Sequence, residues 1–111
     1  MGLAASQARL LMLTARKSDI ELQMQFINQA RLQLANMVSA LFMRQTQPNL
    51  NPGSPDAQRM NAVQSDLQAK DKRFELMSKQ LDTQHQAVQT EIDSVQKVIQ
   101  KNIEMSFKMM S

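Results

Sequence analysis

The side chains able to do chemistry are few and scattered. His85 is the only histidine in the 111 residues, and there is no cysteine. A lone imidazole between Gln84 and Gln86, with no cluster of Asp, Glu or Cys beside it, lacks the neighbours a metal site needs. No Ser/His/Asp arrangement, glycine-rich phosphate loop or pair of carboxylates set for acid–base work occurs along the chain. The sequence therefore predicts no enzyme, no metal and no cofactor. His85 follows Leu81 by one turn and reads as a polar break that sets register in an apolar row. Two further features bear on binding. Met1–Ser6, MGLAAS, fits the M-G-x-x-x-S pattern for N-myristoylation at Gly2. Arg9, Arg16 and Lys17 would supply the second, electrostatic signal that a single acyl chain requires. The motif is short and matches often by chance. Lys70, Lys72 and Arg73 form a basic cluster, which on a long polar helix reads as a solvated face.

The elements that must position these residues are set by Gln47–Asp56, QPNLNPGSPD. This stretch holds Pro48, Pro52 and Pro55, and Gly53 is the only glycine away from the N-terminus. Proline removes a backbone donor and glycine opens positive φ, so the cluster predicts a turn. The flanks lack both breakers in their interiors and are rich in Leu, Met, Ala, Gln, Lys and Glu, all good helix formers. The predicted fold is all-α, an antiparallel, coiled-coil-like hairpin of two long helices in a single domain, 1–111. Helix one covers about 3–46, the turn 47–55 and helix two about 56–109.

In helix one Leu13, Ile20, Ile27, Leu34 and Leu41 fall seven apart. Leu10, Met24 and Val38 flank them, with Lys17 and Arg31 interrupting that second row. This is a heptad seam facing a partner helix. Yet 24 of the 41 residues from Leu3 to Met43 are Ala, Val, Ile, Leu, Met or Phe, where one buried stripe needs about three in seven. The surplus includes Leu11, Met12, Leu22, Phe26, Leu32, Met37, Phe42 and Met43. It predicts a second apolar face that meets another molecule; the plainer alternative is that Ala and Met only raise helix propensity.

Helix two opens with Ser54 as N-cap, Pro55 in the first helical position and Asp56 at the positive end of the helix dipole. Its seam is Met60, Leu67, Phe74, Leu81, Val88 and Val95, supported by Val63 and Met77. After Val88 the apolar row is expected to change step through Ile92, Ile99, Ile103 and Phe107. Glu75/Lys79, Asp93/Lys97 and Glu104/Lys108 are i, i+4 pairs in the favourable order. Folding about residue 51 brings Leu3 near Ile99, so that the Met-rich end, with Ile103, Phe107, Met109 and Met110, overhangs its partner. Met suits such irregular contacts.

The net charge of +3 is too small and too mixed to call for nucleic acid. No apolar run approaches the roughly 20 residues that span a bilayer, and no basic segment followed by an apolar one marks a cleaved signal peptide.

Two resemblances add to this reading. LAASQARLLMLTARKSD, with INQARLQLAN after it, is similar to the opening of small uncharacterised bacterial proteins that begin A-S-Q-A-R-x-L-x-L-T-A-R; this implies a bacterial source. NPGSPDAQRMNAVQSDLQ and the closing IDSVQKVIQKNIEMSFKMMS resemble the turn and C-terminal helix of type III secretion needle subunits. That resemblance implies stacking into a hollow helical filament and export without a cleaved signal. The chain departs from that family in its greater length, its longer first helix and the absence of the tryptophan near the start.

Together these readings predict a structural subunit of a bacterial filament, tube or secretion-associated needle or rod. Its assembly contacts would be Leu11, Met12, Leu22, Phe26, Leu32, Met37, Phe42, Ile103, Phe107, Met109 and Met110. The expected partners are further copies of itself and an export chaperone, without nucleic acid or membrane contact, and the expected location is exported or surface-associated, otherwise cytoplasmic. The alternatives are a small hairpin module closing into a dimer or four-helix bundle with itself or a partner, and an N-acylated peripheral membrane protein.

Overall fold

In a computed structural model, which describes residues 2–45 and 53–110, the chain is an antiparallel helical hairpin of two long helices. Helix α1 is Leu3–Gln45 and helix α2 is Pro55–Met110. The expected turn at 47–55 lies outside the described residues up to Pro52. Gly53 is described, and it does not use the freedom that predicted it: no glycine among the described residues has positive φ. A Cβ on Gly53 would meet nothing within 4 Å.

Local chemistry accounts for both helix starts. Gly2 C=O accepts the first α1 bond from Ser6 N–H at 3.0 Å, and Ser54 C=O accepts the first α2 bond from Gln58 N–H at 3.1 Å. Ser54 Oγ also accepts from Ala57 N–H at 3.2 Å, satisfying a donor that the first turn would leave without a partner. Asp56 stands in that same first turn.

The pairing falls into two compact units. The first joins Met1–Gln23 to Gln80–Ser111. Its buried residues are Ser6, Leu13 and Ile20 on α1, with Leu81, Val88, Ile92 and Val95 on α2. The second unit is Met24–Lys79. It buries Ile27 and Leu34 against Ala57, Met60 and Leu67, while Leu41 and Phe74 are half-buried. Each fully buried aliphatic side chain contributes about 1.5–3 kcal/mol relative to exposure.

The α2 pattern corrects two sequence-based expectations. Val63 and Met77 do not support the seam; they are 48% and 45% exposed. The second row is instead Ala57, Gln64, Asp71, Ser78, His85, Ile92 and Ile99, all buried or half-buried and seven apart. Both rows keep their seven-residue spacing past Val88, through Val95 and Asn102 in the seam and Ile92 and Ile99 in the second row, and Ile103 and Phe107 lie outside them, exposed. Period decides burial here, and the mostly polar first part of the row is carried inward by the apolar row beside it.

Candidate functional site

No helix among the described residues is long and apolar enough to cross a membrane. Nor do three of His, Cys, Asp and Glu gather there in a group that could hold a metal. The surfaces that the hairpin leaves uncovered carry its exposed apolar side chains.

In the first unit Leu11 and Met12 are 74% and 72% exposed, and Leu22 is also open. Ile103, Met105, Phe107, Met109 and Met110 are exposed in turn, because α2 continues past Asn102, its last half-buried position. Polar chemistry concentrates on the flanks of the seam. His85 is half-buried, and its Nε2 lies 3.0 Å from Glu21 Oε1, which also has Lys17 Nζ at 4.0 Å. His85 stands in the second row of α2, after Gln64, Asp71 and Ser78, so it does not interrupt the apolar seam; it is met by a carboxylate from the other helix. Arg9 Nη2 donates to Glu91 Oε2 at 2.9 Å. With both side chains about half exposed, this pair orients the helices more than it stabilises them, contributing at most about 1 kcal/mol.

In the second unit Phe26, Leu32, Met37, Phe42 and Met43 are each more than half exposed. The α1 segment 24–43 holds a single charge, Arg31, and its Nε donates inward to Asp71 Oδ1 at 3.3 Å. The outward surface of that segment is therefore uncharged. Beside it lies an open groove of about 720 Å³, floored by Leu34 and Leu67 and bounded by Val38, Phe42, Lys72 and Glu75. Ala35, with only a methyl group, lines it among longer side chains. In the basic cluster Lys70 pairs with Asp66 at 3.1 Å, and Lys79 pairs with Glu75 at 3.4 Å one turn away. Farther along α2, Asp93 accepts from Gln89 Nε2 at 3.0 Å.

All eleven residues expected to make assembly contacts are exposed. Of the eleven seam residues, nine are buried and Leu41 and Phe74 are half-buried. Sequence reasoning did not reach the groove, the Glu21–His85 pair, or Ser6 as a buried residue. Comparison with protein-family models, curated proteins and solved structures returns no match.

Proposed function

We propose that the chain is a structural subunit that self-assembles into a helical filament, tube or secretion-associated rod, through the second apolar face of α1 and the end of α2. The observation that carries this reading is the outward surface of α1. Leu11, Met12, Leu22, Phe26, Leu32, Met37, Phe42 and Met43 are each more than half exposed. The charges on the outward heptad positions between them are Arg16, Asp19 and Glu21, and none falls between Leu22 and Met43. The five of them in the second unit offer on the order of 600 Å², against about 800 Å² for one side of a standard protein interface. Single exposed apolar residues are ordinary, but a charge-poor series of this extent marks an interaction surface. Because the α1 face and the α2 end are different surfaces, contacts between them are heterologous and propagate wherever the rotation does not close. The likeness of the region from Asn51 and of the chain end to needle subunits supports the secretion-associated form.

The test is electron microscopy of the purified chain together with light scattering across a concentration series. Uniform filaments above a critical concentration are expected. A constant dimer or tetramer at every concentration would replace this reading with a closed helical bundle. Phe26→Glu, on the exposed side of α1, is expected to abolish assembly with unchanged helicity by circular dichroism. Loss of helicity in that variant would place Phe26 in the fold of the single chain instead.

A further inference from the structure

The groove and the end of α2 match each other in polarity and charge order. Past Asn102 the apolar residues Ile103, Phe107 and Met110 recur at i, i+4 and i+7, which puts them on one face of the helix. They are 51%, 76% and 88% exposed, rising toward the end. The groove of about 720 Å³ offers Leu34, Val38, Phe42 and Leu67 to such a face. It is open at Ala35 and carries Lys72 and Glu75 along its α2 rim.

We propose that this groove receives residues 103–110 of a second copy of the chain, lying parallel to the host's α2. The charge order sets the direction. Asp71 on the rim already holds Arg31 at 3.3 Å, and Glu75 has Lys79 one turn on at 3.4 Å. In the remaining order the cation precedes the anion, Lys72 before Glu75, whereas on the incoming helix the anion precedes the cation, Glu104 before Lys108. Parallel placement sets Glu104 beside Lys72 and Lys108 beside Glu75. The antiparallel placement sets like charges together, which is strongly unfavourable at an interface. Two turns of helix, about 11 Å, fit along a groove whose α1 wall runs from Arg31 to Phe42. The inference rests on the self-assembly reading and specifies one of its contacts: an acceptor for the end of α2. Because donor and acceptor are different surfaces, each bound copy presents a new groove and a new end.

Charge reversal tests this with full-length chains. One variant reverses the donor, Glu104→Lys with Lys108→Glu. The other reverses the acceptor, Lys72→Glu with Glu75→Lys. Alone, each is expected to raise the critical concentration for filaments roughly 10-fold or more. Mixed in equal amounts they are expected to assemble again near the wild-type concentration, because every donor then meets a matching acceptor on the other variant. Phe107→Glu, which removes the apolar anchor, is expected to raise the critical concentration roughly 30-fold, with helicity retained. Filaments from all three variants at the wild-type concentration would overturn the docking while leaving self-assembly intact. So would reversed variants that stay impaired on mixing. A wild-type chain that forms no filaments at any concentration would remove both this contact and the reading beneath it.

Discussion

Ser6 continues the buried row of Leu13 and Ile20 one heptad toward the N-terminus, and it is completely buried. Its Oγ has no hydrogen-bond partner among the described residues. A hydroxyl taken from water without a partner costs about 1–3 kcal/mol by mutational measures, whereas a methyl at the same place costs nothing comparable. Ser6→Ala is therefore expected to raise stability by about 1 kcal/mol, read as a higher denaturant midpoint at unchanged slope. A lower midpoint would mean that the hydroxyl has a partner in solution. The position was hidden in the sequence because reading for apolar residues ends the row at Leu13; counting back seven reaches a serine. His85 shows the converse. That it lies beside the seam was legible from Leu81, one turn earlier, although its own row is already polar at Gln64, Asp71 and Ser78. Its partner was not, because Glu21 lies 64 residues away and is selected by the register between helices.

At the scale of the element, the start of α2 was the most legible feature of the chain. Ser54, Pro55 and Asp56 act through neighbouring backbone groups, and Ser54 caps Ala57 as the local sequence predicts. Ser54→Ala is expected to cost about 1 kcal/mol of stability, measurable by urea unfolding; Ser54→Asp, which keeps an acceptor at the cap, is expected to restore it. The second row of α2 was less legible for a physical reason. Val63 and Met77 attract attention because they are apolar, yet the row belongs to Gln64, Asp71, Ser78 and His85, which keep the seven-residue spacing. The expected change of step has the same origin. Ile103 and Phe107 lie past the last half-buried seam position, Asn102, so no packing requirement fixes their phase.

At the scale of the whole molecule, the two helices divide the chemistry. α1 carries the surplus of apolar side chains, and α2 carries most of the charge. That division could be counted directly in the sequence, as could the apolar surplus that leaves α1 with exposed Leu, Met and Phe side chains. The groove could not, because an empty volume arises where a small side chain from one helix stands among long ones from both, and no linear pattern reports it. Methionine makes up much of the uncovered surface: Met12, Met37, Met43, Met77, Met105, Met109 and Met110 are all at least 45% exposed, whereas Met60 is only 6% exposed. Thioethers so placed are open to peroxide, and each sulfoxide turns an apolar contact into a polar one. Mild hydrogen peroxide is expected to oxidise these seven while sparing Met60, as peptide mass spectrometry would read. Helicity would persist and assembly would be lost, and methionine sulfoxide reductases would restore it. Filaments that form undiminished from the oxidised chain would show that these methionines lie outside the contacts. If the chain assembles as proposed, a surface built this way would couple the joining of subunits to the oxidant level around them.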